Sequence, residues 1–172
     1  MRDGATAGRD AGVNLVFFGA NAAYRHIRLE PSPLGPDRRQ VAYKSRAEDP
    51  LRATDPREVT VAWREPPLNR PEAAMIGQQY ECNPVHAAGV VVSAGSWLLA
   101  GTGLRDGDRL EGLVGTEYDR VQAVAGAPPG VEMVFHSPLR CGGRRSFADV
   151  AYYTAPSGAG VFATGTNWWI SK

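Results

Sequence analysis

Two tyrosines and one glutamate are the side chains of this sequence that best suit metal chemistry. Tyr24 and Tyr43 lie in short β-prone segments, and Glu117 follows an apolar run and a glycine in LVGTEYDR. Most tyrosines are packing residues with the hydroxyl at the edge of the core, and a carboxylate at a strand end is either solvated or held by a partner. Two phenolates and one carboxylate would also neutralise a hard cation such as ferric iron and leave positions open for water and substrate. Both interpretations are open at this point.

Histidines and cysteines are the other candidate catalytic or metal-binding residues. His26, His86 and His136 are potential general bases, but no GxSxG motif accompanies them, so a serine hydrolase is not indicated. Cys82 and His86 have a CxxxH spacing, yet two ligands fall short of the four that a structural zinc site needs. Cys141 is the only other cysteine. The two cysteines could pair with each other. A chain with only two cysteines, however, favours reduced thiols in a cytoplasmic protein.

Composition excludes several classes of function. The chain has 172 residues, of which 43% are hydrophobic, and 19 basic against 18 acidic residues give a net charge of +1. This balance gives no electrostatic reason to expect nucleic acid or an anionic membrane as a partner. The length favours a single domain over residues 1–172, and no run approaches the roughly 18 apolar residues of a membrane helix.

The stretch VNLVFFGANAAY organises the predicted fold. Residues 13–18 form a continuous apolar run that predicts a strand covered on both faces, as in a parallel α/β sheet, and Gly19 ends it. Ligands of such sheets bind beyond the carboxyl ends of the strands. We therefore expect the functional residues around this turn, near Gly19, Asn21 and Tyr24, together with later segments that fold back to it.

The other predicted elements are mostly short strands. A helix over 2–11 precedes the apolar strand, and PEAAMI predicts one helical turn at 71–76. Alternating residues and turn clusters predict strands with the following bounds: a hairpin of 24–30 and 39–44, a hairpin of 89–93 and 97–101, segments 110–115 and 117–124, and strands 131–137, 148–154 and 160–166. One or two helices among so many strands predict a β-rich α/β or α+β fold.

An ordered set of segments resembles a known family. NLVFFGANAAYRHIRLE, RQVAYKS, WLLAGTGLRDGDRLEGLVGTEYDRV and GAGVFATGTNWW are together similar to the C-terminal domain of the N,N-dimethylformamidase large (beta) subunit-like family. The resemblance covers nearly the whole chain. It implies a class I glutamine amidotransferase-like α/β sandwich with added short antiparallel strands, without the cysteine nucleophile of those enzymes.

The resemblance also implies an activity and a site. Family activity is hydrolysis of a small amide at a mononuclear iron held by two tyrosines and a glutamate. Transferred to this chain, the iron ligands are Tyr24, Tyr43 and Glu117, with Tyr80 as the alternative second tyrosine. Iron would polarise the amide carbonyl or acidify a bound water, and Glu117 or a histidine would move the proton. His26, two residues after Tyr24, is the expected supporting histidine.

The chain is short by comparison with the family. Family members carry the first half of the α/β domain upstream, and its strands would pair with residues 13–18. We therefore expect either a hydrolase, a remnant of one, or a non-catalytic β-rich domain that binds through an exposed sheet edge. A second copy or a partner chain would then complete the sheet.

Overall fold

A computed structural model describes residues 2–171 of the chain. Its residues divide into two compact units. The first combines residues 2–22 with residues 72–171, and the second is Ala23–Pro71. Each unit has its own sheets and its own buried residues, so each is described by itself.

The first unit begins with the predicted helix and apolar strand. Helix α1 (Arg2–Asp10) confirms the first of these, and the chain leaves it through Gly12 at a φ of +93°. Strand β1 (Leu15–Phe17) follows, but the prediction that it is covered on both faces is wrong. Val16 and Phe18 are 53% and 57% exposed. β1 is an edge strand, and apolar composition alone does not distinguish an exposed edge from a buried centre.

A mixed four-stranded sheet forms the first half of this unit. Its order is β1-β8-β7-β6, with β6 at Glu132–Cys141, β7 at Arg144–Thr154 and β8 at Gly160–Ala163. β1 runs parallel to β8, and the other neighbours are antiparallel. The three predicted strands between residues 131 and 166 are thus confirmed.

A pair of long strands forms the second half. β4 (Gln79–Val90) and β5 (Arg109–Arg120) are antiparallel. The predicted hairpin of 89–93 and 97–101 is wrong, because residue 89 belongs to β4 and Trp97–Leu99 form a 3-10 turn. The predicted segments 110–115 and 117–124 are mostly one strand. The short helix α2 (Ala73–Ile76) confirms the predicted helical turn. The first ten residues of β4, which follows it, were not predicted as a strand.

Side chains from both strand systems share the core of the first unit. One cluster contains Val85, Val114, Tyr118, Cys141 and Ala148, and a second contains Val91, Leu113, Val134, Phe135 and Val150. A disulfide between Cys82 and Cys141 covalently joins β4 to β6. The prediction of reduced thiols is therefore wrong, because strand packing brings together two cysteines that are 59 positions apart.

The second unit is a hairpin with an irregular buried segment. β2 (Arg28–Ser32) and β3 (Gly35–Val41) confirm a hairpin between residues 24 and 44, with its strands displaced from the predicted bounds. Residues 59–62 are 0–1% exposed and supply the buried centre of the unit. Asp49, also fully buried, binds this segment through its carboxylate.

The architecture is β-rich with few helices and several small sheets. This agrees with the predicted β-rich α/β class at a coarse level, whereas the glutamine amidotransferase-like sandwich stays a prediction. Among residues 2–171, no helix has the length and apolar character needed to cross a bilayer.

Candidate functional site

The glycine turn after β1 is held by side chains from two distant segments. The amides of residues 19–21 donate in turn to Thr164 Oγ1 at 3.0 Å, Asn167 Oδ1 at 2.9 Å and Asp119 Oδ1 at 2.8 Å. Later segments therefore do fold back to this turn, as expected. The partners come from the end of β5 and from the ATGTN segment after β8, two of the segments that carried the family resemblance.

Asp119 is the buried anchor of this arrangement. It is 1% exposed, and its own amide donates to the Gly165 carbonyl oxygen at 2.9 Å. Its neighbour Arg120 lies 3.8 Å from Glu81. Glu117 precedes Asp119 by two positions on β5, so its backbone lies about 7 Å away along the strand. The predicted glutamate thus lies on the same strand as the residue that binds the predicted turn.

Glu117 and Tyr80 meet at a single amide group. Asn83 Nδ2 lies 2.6 Å from Tyr80 Oη and donates to Glu117 Oε1 at 3.2 Å. β4 and β5 bring these side chains together, because Tyr80 pairs with Asp119 in the strand register. The alternative tyrosine is therefore beside the predicted glutamate. Sequence reasoning had assigned no role to Asn83, and only the strand pairing reveals one.

Tyr24 belongs to the second unit and is flanked by cations. The guanidinium carbons of Arg25 and Arg64 lie 5.2 and 4.9 Å from the centre of the Tyr24 ring. Its carbonyl oxygen accepts a hydrogen bond from the Trp63 amide at 2.8 Å. These contacts position the tyrosine ring through cation–π attraction and backbone pairing.

Tyr43 lies on the other side of the same buried segment. Its amide donates to Thr60 Oγ1 at 2.7 Å, and its side chain is 39% exposed. Tyr24 is attached three positions further along the chain, where its carbonyl oxygen accepts from the Trp63 amide. The two tyrosines are therefore attached to neighbouring parts of one irregular stretch of the second unit.

His26 has a defined proton arrangement. Its Nδ1 lies 2.9 Å from the Val59 carbonyl oxygen, and its ring lies against Trp63 at 4.4 Å between centres. A carbonyl oxygen only accepts, so Nδ1 carries the proton and Nε2 holds the lone pair of the neutral ring. That tautomer leaves Nε2 able to accept a proton.

The structure also contains a carboxylate–histidine pair that sequence reasoning missed. His136 Nδ1 lies 2.6 Å from Asp149 Oδ1, and the His136 ring stacks on Phe147. Burial raises the pKa of Asp149 above its usual value, against the opposing effects of the Val121 amide and His136. The two residues are cross-strand partners on β6 and β7, a pairing that residue order does not reveal.

Metal ligation by cysteine is not available. Cys82 and Cys141 are bonded to each other, so neither offers the thiolate of the CxxxH zinc interpretation. Within residues 2–171, no three His, Cys, Asp or Glu side chains lie close enough together to hold a metal ion.

These observations define a β-rich domain with a glycine turn after β1. Side chains from the end of β5 and from the segment after β8 accept hydrogen bonds from the amides of this turn. The family model of the N,N-dimethylformamidase beta subunit-like, C-terminal domain matches residues 1–172. The chain therefore belongs to that family, as the sequence resemblance predicted. A comparison with curated proteins gives no significant match.

Proposed function

We propose that this chain is a hydrolase of a small amide, or a remnant of such an enzyme, that uses a mononuclear iron. Tyr24 and Glu117 would be ligands, with Tyr43 or Tyr80 as the second tyrosine. The observation that carries the proposal is family membership over the whole chain, with Tyr24 in FGANAAY and Glu117 in LVGTEYD.

The oxygen donors around Glu117 suit such an ion. Tyr80 Oη and Glu117 Oε1 are within hydrogen-bonding distance of the same amide nitrogen of Asn83, so two hard donors are already gathered. Hard anionic oxygens match ferric iron better than soft ligands do. This contact supports Tyr80, whereas Tyr43 is supported by the family resemblance through VAYK.

A bound ferric ion would supply Lewis acidity toward an amide carbonyl or a water molecule. The chain's own residues would do the remaining work. Asn83 orients the Glu117 carboxylate through its Nδ2 group. His26 is a candidate proton acceptor at Nε2, because its Nδ1 proton is engaged with the Val59 carbonyl oxygen.

Metal content with a visible absorption spectrum tests this proposal. We expect about one iron per chain after purification without chelator, with a phenolate-to-iron charge-transfer band, as tyrosine ligation requires. Tyr24→Phe and Glu117→Gln should each abolish the band. Comparing Tyr43→Phe with Tyr80→Phe identifies the second ligand, because only one of these substitutions should remove the colour.

Tyr152→Phe is the matched control, since Tyr152 lies on β7 with its hydroxyl bonded to Thr154. It should retain both iron and colour. A folded wild-type protein that is colourless and free of metal would contradict the iron hydrolase. Iron that persists in Tyr24→Phe and Glu117→Gln would contradict the assigned ligands.

A second candidate is a non-catalytic binding domain that pairs through its exposed sheet edge. β1 is the terminal strand of its sheet, and Phe18 is 57% exposed beside it. A groove of about 300 Å³ lies on one face of this sheet and is lined by Val16, Phe162 and Trp97. Trp97 is 65% exposed, so the groove presents an apolar surface to which another chain can add.

A further inference from the structure

A second groove, on the first unit, has a different chemical character. It has a volume of about 790 Å³ and is lined by residues of β4, β5, β6 and β7. Its charged lining consists of Arg109, Arg140 and Arg145 with one carboxylate, Glu111. The cationic side chains thus outnumber the anionic one on this surface.

The single carboxylate is already engaged. Arg109 Nε donates to Glu111 Oε1 at 3.2 Å, so these two charges compensate each other. Among residues 2–171, neither Arg140 nor Arg145 forms an ion pair with a carboxylate. The groove therefore holds two uncompensated guanidinium groups.

These two guanidinium groups belong to residues that lie directly opposite each other on neighbouring strands. Arg140 and Arg145 are direct cross-strand partners of β6 and β7, an arrangement in which like charges repel. Arg140 Nη1 donates to the Gly143 carbonyl oxygen at 3.1 Å, which fixes its guanidinium close to the strand ends. An anion between the two would remove the repulsion and accept forked hydrogen bonds from both.

An aromatic ring also lines the groove. The Phe147 ring stacks on His136 at 4.1 Å with an interplanar angle of 17°. Phe147 is in turn 37% exposed, which leaves a ring surface available to a ligand. The groove therefore combines two uncompensated guanidinium groups with a partly exposed aromatic ring.

We propose that this groove binds a small organic or inorganic anion, a carboxylate or a phosphate, through the guanidinium groups of Arg140 and Arg145. The site is separate from the proposed iron ligands, and its occupancy does not depend on amide hydrolysis. A binding measurement therefore tests the anion site independently of the proposed hydrolase activity.

Calorimetric titration of the full chain at low ionic strength tests the site. Citrate and inorganic pyrophosphate are the probes, and their relative affinity distinguishes a carboxylate site from a phosphate site. Arg145→Gln and Arg140→Gln should each weaken binding of the preferred probe about tenfold, because each removes a charge-assisted hydrogen bond. Added salt should weaken binding to the wild type more than to either variant.

Arg105→Gln is the matched control, because Arg105 is an exposed arginine of the same unit that does not line the groove. It should bind the probe as the wild type does. Absence of saturable binding of both probes would overturn the proposal. Equal affinities in the wild type, Arg140→Gln and Arg145→Gln would overturn it as well.

Discussion

Asp49 illustrates how single residues stabilise the second unit. Its fully buried carboxylate accepts hydrogen bonds from the Thr60 amide and hydroxyl, both at 2.9 Å, and from the Leu51 amide at 3.0 Å. Arg28 lies 3.2 Å away. Burial by itself would raise the pKa of Asp49, but these hydrogen bonds outweigh it and leave the pKa below its usual value. Asp49 thus connects the loop before residue 50 to the buried segment 59–62.

Replacing this carboxylate should destabilise the second unit in a pH-dependent way. Asp49→Asn should lower the free energy of unfolding at pH 7 by about 1–3 kcal/mol, because an amide cannot accept all of these hydrogen bonds. A lowered folded-state pKa means that the stabilisation is complete above the unfolded pKa of about 3.9 and is lost as the pH falls through the folded value. Denaturant unfolding at pH 7 and at low pH measures the difference.

Asp37→Asn provides the control for Asp49→Asn, because Asp37 is exposed on β3. Its unfolding curve should match that of the wild type at both pH values. A wild-type advantage over Asp49→Asn that persists unchanged at low pH would contradict the role of the ionised carboxylate.

At the scale of elements, the Cys82–Cys141 disulfide links β4 to β6 across the core of the first unit. The cysteines belong to, or pack against, the cluster that also contains Val85 and Tyr118. Disulfides are uncommon in cytosolic proteins. The cytoplasmic location stays a prediction, and the disulfide does not favour it.

Removing the disulfide should destabilise the first unit. Replacing both Cys82 and Cys141 with alanine should lower the free energy of unfolding by about 2–4 kcal/mol, since the unfolded chain regains the freedom of a long loop. Reductant should destabilise the wild type by a similar amount and leave the double variant unchanged. Two free thiols titrated in native wild-type protein, prepared without reductant, would contradict this prediction.

A glycine explains why β5 was predicted as two shorter pieces. Gly115 looked like a break between two segments, yet it lies inside β5 with the Trp168 ring against it. A Cβ atom there would lie 2.7 Å from the ring. Gly89 is similar, because its Cβ would lie 2.6 Å from Leu113 Cδ2. In both strands glycine permits close packing rather than a turn, and only the packed structure reveals the difference.

At the scale of the whole molecule, the exposed edge of β1 bears on self-association. Val16 and Phe18 present apolar side chains beside a strand edge, a combination that natural proteins usually cover. If this edge pairs with a second copy, the wild type should be dimeric at micromolar concentration. Val16→Lys should return it to a monomer, because a charged side chain disfavours edge pairing. Light scattering coupled to gel filtration measures both masses.

Leu34→Lys is the control for the edge, because Leu34 is an 83% exposed apolar residue of the other unit. It should leave the mass unchanged. A wild type that is monomeric at all concentrations would show that the edge of β1 does not pair with a second copy. A dimer that persists in Val16→Lys would show that the dimer interface lies elsewhere.

The sequence by itself determined the local elements and the family. Helix α1, the hairpin between residues 24 and 44 and the strands between 131 and 166 follow from local patterns, which depend on neighbouring residues alone. The ordered motifs were sufficient to predict the family that matches the chain, and the glycine turn was correctly identified as a point where later segments meet.

Tertiary structure decided the features that depend on distant pairing. The exposure of β1, the Cys82–Cys141 bond and the burial of Asp119 each require knowing which strands lie side by side. The same holds for the contact of Asn83 with Tyr80 and Glu117, and for the opposition of Arg140 and Arg145. A residue's local pattern is the same whether its strand lies at an edge or at a centre, so its partners are fixed only when the strands pack.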